Sequence, residues 1–255
     1  MPCGGWGEAM RRPFSILPAM RAALAATMAG AAAAALACAD TAVQQAFRAE
    51  DRAALAAAAA DAEDSQRGAV LRGLATYYAL QLAFDAGDAS KLQGLLKDTL
   101  RMLEQRWARH AEAEVASLYA LLLGQQIRLQ PWSGMWHGPK ADRALGVALR
   151  AAPQHPRLLL AQSVAQLYAP AAFGGDPAAA LAGLQRASAA LAAGHPDPFC
   201  WGRDDTDLAL AAALRRQQQG AQAQALLEAL LARAPEHRPA RRALAALQAY
   251  PAHAR

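Results

Sequence analysis

Residues 205–250 read DTDLALAAALRRQQQGAQAQALLEALLARAPEHRPARRALAALQAY. Apolar residues recur at helical spacing on both sides of Gly220, and Ala234-Pro235-Glu236 interrupts the pattern before a last basic stretch. The segment therefore predicts helix, tight turn, helix, break, helix. Asp204-Asp205 is placed to cap the first helix, predicted to run to about Gln219, and Gly220 supplies a permissive backbone for the reversal. In the second helix Ala223, Leu227 and Leu230 share one face.

The same pattern extends upstream. Leu96, Leu100, Leu103 and Trp107 form one apolar stripe; Val115, Leu118, Tyr119 and Leu122 form another; Leu160, Val164, Leu167 and Tyr168 form a third. Stripes repeated on consecutive helices pack first against each other. Breaks at Gly87-Asp88 and Gly175-Asp176-Pro177 carry turn and cap residues, the second with proline at the first helical position. No run alternates Val, Ile, Thr and aromatic residues between Asn-Gly or Asp-Gly turns, so strands are not expected. The 55% apolar content rests on alanine, a strong helix former, with only 6% aromatics. We expect an all-α fold of stacked antiparallel hairpins, four in number plus a terminal helix.

Arg21 followed by the apolar run Ala22 to Cys38, with small residues at Ala35, Ala37 and Ala39, has the layout of a signal peptide. Residues 1–39 are read as leader and 40–255 as the helical domain, with Met10 and Met20 as alternative starts. Three fates stay open: simple cleavage near Ala37 or Ala39, lipidation of Cys38 within Ala35-Leu36-Ala37-Cys38, or an uncleaved anchor. Arg11-Arg12-Pro13-Phe14 is a partial twin-arginine signal. Export to the periplasm is expected, with no membrane span in the mature chain and a tether only if Cys38 is acylated. Cleavage at 39 removes Cys3 and Cys38, leaving Cys200 without a disulfide partner. The leader also holds Arg11, Arg12, Arg21 and Glu8, so the formal charge of +5 falls to +3, too mild for nucleic acid.

No catalytic, metal or cofactor constellation emerges. The six histidines are scattered without an i, i+4 pair, and no Gly-x-Ser-x-Gly turn or phosphate-loop spacing exists. Glu112 and Glu114 project from different helix faces. Phe173-Gly174-Gly175-Asp176 reads as a structural turn, because the Asp176 carboxylate would occupy the amides an anion needs. Arg233, His237, Arg238, Arg241 and Arg242 read as the polar face of a terminal capping helix.

Trp132, Met135, Trp136 and His137 cluster in an aromatic-poor chain, in what reads as a long link between helices ending near Gln130 and starting near Lys140. The plainer role for the tryptophans is to fold back and seal a hairpin; the functional one is to bind. Tyr119, Trp132, Met135, Trp136 and Phe173 are the candidate partner contacts.

The carboxy-terminal unit, with small residues in its second helix and a closing proline, resembles a tetratricopeptide repeat, although Asp207 and Leu214 stand where that repeat has tryptophan and tyrosine. Between about residues 110 and 245 the chain also resembles a family of exported bacterial tetratricopeptide-repeat (TPR) proteins of unassigned activity. The likeness is carried by Pro131 to Lys140 with its glycines, by Ala152-Pro153-Gln154-His155-Pro156-Arg157, by Ala169-Pro170-Ala171-Ala172-Phe173-Gly174-Gly175-Asp176 and by Trp201-Gly202. It implies a TPR-like α-solenoid acting as a non-catalytic protein- or peptide-binding scaffold. The Gly-Gly-Asp turn and the helix after it also look like the helical accessory component of tripartite (TRAP-type) transporters, which implies the alternative of binding a small solute or its receptor.

Overall fold

The computed structural model describes residues 38, 40–60, 63, 65–194 and 198–249; the leader, its alternative starts and its twin arginines lie outside them. Among the described residues there are eleven α-helices and no strand. They are α1 Thr41–Ala49, α2 Arg52–Ala60, α3 Gln66–Asp85, α4 Gln93–His110, α5 Ala113–Leu129, α6 Gly134–Ala151, α7 Pro156–Tyr168, α8 Pro177–Ala193, α9 Arg203–Arg216, α10 Gly220–Arg233 and α11 Arg238–Ala249. Among them, no helix is long and apolar enough to cross a membrane.

Four hairpins, α3/α4, α5/α6, α7/α8 and α9/α10, are followed by α11, as the turn spacing predicts. The short links reverse the chain each time, so α3, α5, α7, α9 and α11 run the same way. α5 packs directly on α3 and α7, forming an inner layer, while α4, α6, α8 and α10 lie outside. This is the stacked-hairpin arrangement of an α-solenoid.

The sequence stripes build the core. Val115, Leu118, Tyr119 and Leu122 are buried on α5, as are Leu96, Leu100 and Leu103 on α4 and Leu160 and Leu167 on α7. Two glycines allow helices to approach: a Cβ on Gly73 would lie 3.2 Å from Leu118 Cδ1, and one on Gly183 would lie 2.1 Å from Ser163 Oγ.

The helix ends are chemically defined. Ser65 accepts from the Gly68 amide at 3.0 Å to start α3, and Asp176 accepts from Ala178 and Ala179, both at 3.0 Å, to start α8. The turn before α8 needs its glycines, since Gly174 has φ +85° and a Cβ on Gly175 would meet the Ala169 carbonyl at 1.9 Å. Gly175→Ala should therefore lower stability by roughly 1–3 kcal/mol, read as a lower midpoint of chemical unfolding.

Two local expectations are corrected. α9 stops at Arg216, and the left-handed residue of the α9–α10 turn is Gln218 (φ +61°), while Gly220 is already the first residue of α10. Pro131–Ser133 is a short 3₁₀ turn and α6 starts at Gly134, so the expected long link to Lys140 is mostly helix. Pro139 lies inside α6, and its predecessor, Gly138, has no Cβ to crowd the pyrrolidine ring.

The amino-terminal helices pack on the array. α2 and α3 lie together, burying Leu55 and Ala59. α1 buries Val43, Ala46 and Phe47 and bridges inner helices far apart in sequence. The Phe47 ring stacks on Tyr78 of α3 at 4.1 Å and meets His237, just before α11, edge-on at 5.7 Å. Arg48 pairs with Asp204 of α9 at 2.8 Å. Arg242 of α11 pairs with Glu50 and, at 2.6 Å, with Asp85 at the end of α3. Thus α1 is a plug in the inner face. The carboxy-terminal basic group is largely used inside the molecule: Arg233 also binds Asp207 at 2.6 Å, and His237 is fully buried instead of lying on a polar outer face.

Candidate functional site

α5 and α7 are neighbours running in the same direction, so their carboxy-terminal turns open on the same edge of the array. Trp132 sits on the 3₁₀ turn after α5, with Met135 and Trp136 on the first turn of α6. Tyr168 closes α7, and Phe173 lies in the 3₁₀ turn before α8. These five, exposed from 55% for Trp136 to 73% for Phe173, are all the large exposed hydrophobic side chains among the described residues. Exposed apolar side chains on neighbouring turns make this edge the candidate site.

Helix geometry explains why the indoles stay outside. The inward face of α6 is Ala141, Ala144, Leu145 and Ala148. Trp136 precedes Ala141 by five residues and is therefore rotated roughly 140° from it, whereas His137, four before, is half-buried. The expectation that Trp132 and Trp136 seal a hairpin is overturned; they contact each other edge-on, with ring centres 5.7 Å apart. Basic groups border the patch. The Arg216 guanidinium lies 4.7 Å over the Tyr168 ring and donates to the Leu167 carbonyl; Arg128 lies 3.9 Å over Phe84 at the end of α3.

Tyr119 does not belong to this surface. It is 2% exposed, and burial together with the hydrogen-bonded Glu104 carboxylate raises its phenol pKa. Glu104 also accepts from Lys140 at 2.8 Å, which holds its own pKa below the usual value.

A buried ionic cluster is what the sequence reading missed. Glu114, which reads in the sequence as one of two unremarkable acids on different helix faces, is 4% exposed. Its Oε1 accepts from Arg157 Nη1 at 2.5 Å and lies 3.3 Å from His155 Nε2, while its Oε2 accepts from Trp201 Nε1 at 3.0 Å. Arg157, 1% exposed, also donates to the carbonyls of Trp201 (2.7 Å) and Phe199 (2.5 Å). The cluster ties α5 and α7 to the link before α9. Gly202 follows it with φ +103°, and a Cβ there would meet Arg157 Cγ at 3.2 Å. Arg157 and Trp201-Gly202, from two of the four passages that carry the resemblance, thus meet in space.

Beside it, buried Asp205 accepts from the Tyr78 hydroxyl at 2.8 Å and the Gly202 amide at 3.2 Å. Burial pushes its carboxyl up to about 7, against the lowering effect of the Tyr78 hydrogen bond and with neighbouring Asp204 adding to the rise. A raised folded-state pKa means the folded protein holds a proton that the unfolded chain has lost. Its stabilising contribution is complete below about pH 4 and disappears as pH rises to about 7. In Asp205→Asn, whose amide oxygen can still accept both bonds, stability should fall less between pH 4 and 7 than in the wild type. Urea titrations at each pH would show it.

The structure also joins Cys38 to Cys200 in a disulfide, with Cα atoms 5.6 Å apart. This corrects the expectation that Cys200 stands without a disulfide partner, which followed from discarding Cys38 with the leader. A sulfur so bonded cannot also carry a lipid thioether.

Among the described residues, no group of three or more His, Cys, Asp or Glu side chains is placed to hold a metal. The fold is an all-helical array of stacked hairpins. No protein family matches the sequence, and no curated protein does. Among solved structures the chain is similar to the HusA haemophore from Porphyromonas gingivalis, with TM-score 0.50 and 21% identity over 81% of this chain and 96% of that one. It also matches a thermophilic TPR protein of Thermus thermophilus, with TM-score 0.49 and 18% identity over 72% and 90% of the two chains. At such identity the haemophore likeness speaks for the fold.

Proposed function

We propose that this protein is an exported, non-catalytic scaffold that holds another protein at the turn edge carrying Trp132, Met135, Trp136, Tyr168 and Phe173. The observation that carries the reading is the confinement of the large exposed apolar side chains to two adjacent turns, while the chain's own α1 occupies the inner face. A repeat array usually offers its inner face to a partner; here α1 takes that place, and among the described residues the edge carries the large exposed apolar side chains. The rigid core supports its side chains at low ordering cost, and tryptophan, tyrosine and methionine are enriched at interface centres. The Cys38–Cys200 pairing supports an oxidising compartment, since such bonds persist outside the cytosol.

Capture from periplasmic extract tests the proposal: wild type should retain a specific protein that Trp132→Ala plus Trp136→Ala does not. Equal retention by both removes the edge from the interface.

The haemophore likeness gives a second reading at the same place. The exposed Tyr168 ring under the Arg216 guanidinium offers an apolar face and a cation to a planar porphyrin bearing carboxylates. Titrating haem would then give a saturable shift of its main absorption band, absent from the double tryptophan variant. A shift that never saturates leaves the protein-binding reading alone.

A further inference from the structure

We propose that the exported chain is cut between Ala37 and Cys38, and that the cysteine freed at the new amino terminus is oxidised onto Cys200, fastening α1 into the inner face. The inference rests on the export reading above and names how that export is completed. Cys38 and Cys200 are 162 positions apart in sequence, yet their Cα atoms lie 5.6 Å apart, inside the roughly 4.4–6.8 Å that a disulfide spans.

One hydrogen bond independent of the sulfurs joins the two segments, and others order the amino-terminal one. The Cys200 amide donates to Asp40 Oδ1 at 3.0 Å, and Gln44 Nε2 donates to Asp40 Oδ2 at 3.0 Å. The Thr41 amide and hydroxyl donate to the Cys38 carbonyl at 3.2 and 2.9 Å. Asp40 is fully buried, and Val43, Ala46 and Phe47 follow it into the core. The compact helical unit begins at Cys38 itself.

These contacts separate the fates that the leader left open. A cut after Ala39 discards Cys38 and places a charged amino group on Asp40, whose side chain has no exposure to water. Lipidation cleaves the same Ala37–Cys38 bond but uses the sulfur for a thioether, which excludes the disulfide. A plain cut after Ala37 leaves Ala35-Leu36-Ala37, small residues around a larger one, on the leader side and keeps the Cys38 thiol. Hydrolysis consumes one water. Joining the two thiols then releases two protons and two electrons, accepted by a protein disulfide of the oxidising compartment, which becomes a dithiol.

The test uses the full chain, residues 1–255, produced in an exporting bacterium and purified from its envelope. Mass spectrometry should find Cys38 as first residue, the mass of residues 38–255 less two hydrogens, and no iodoacetamide uptake until a reductant uncovers two thiols. In full-length Cys200→Ser the same cut should occur, Cys38 should be alkylated without reductant, and trypsin should cut after Arg48 or Arg52 at least about tenfold faster. A first residue Asp40, a diacylglyceryl group on Cys38 or free thiols in the wild type overturns the proposal and leaves export standing. An uncut chain with reduced cysteines, retained in the cytoplasm, overturns export as well.

Discussion

Replacing Arg157 with alanine should lower the melting temperature by on the order of 10 °C. Truncation leaves the Glu114 carboxylate buried without its guanidinium and strips the donor from the Trp201 and Phe199 carbonyls. Breaking a buried pair from one side costs about 3–5 kcal/mol, and each kcal/mol shifts the midpoint by roughly 2–4 °C at this size. The damage comes from the stranded charge more than from any strength of the pair itself. Glu114→Gln combined with Arg157→Met should therefore recover much of the loss, since neither residue then carries a charge. Thermal unfolding of the two single variants and the double variant decides the matter: an Arg157→Ala midpoint within about 2 °C of wild type contradicts this account of the cluster.

The second large effect concerns binding without a change in folding. Trp132→Ala and Trp136→Ala should each weaken the captured partner by at least about thirtyfold, the equivalent of about 2 kcal/mol expected for a tryptophan at an interface centre. Because both indoles are more than half exposed, their removal opens no core cavity, and the melting temperature should move by less than about 2 °C. Tyr119→Phe, by contrast, removes only a hydroxyl bonded to Glu104 inside the array and should leave affinity unchanged. Calorimetric titration of the purified variants reads both quantities.

The hairpins were legible because their signals are local. The spacing of Val115, Leu118, Tyr119 and Leu122, the Asp176 cap and Pro177 depend on residues within two turns of each other, and each lies where its chemistry predicts. Tyr168 ends an apolar stripe by sequence but projects outward, because α7 finishes there and the chain turns away.

Features that depend on distant parts of the chain were not legible. Glu114 looks like an ordinary first-turn acid until Arg157 and Trp201 arrive from positions 43 and 87 residues away. The Gly138-Pro139 pair reads as loop, although α6 continues through it. Reading residues 131–139 as a link also hid the face of α6 on which Trp136 sits. Treating Cys38 as leader concealed both the disulfide and the plug that begins beside it.

The most direct test of the central claim, that the edge and not the inner face is the working surface, is in-cell photo-crosslinking with a benzophenone amino acid at single positions. Probes replacing Trp136 and Phe173 on the edge should trap the same partner, while a probe replacing the exposed Arg203, where α9 starts beside Arg48 and Cys200, should trap none. A partner trapped at position 203 but at neither edge position would contradict the account and place the binding site beside α1, where α9 starts.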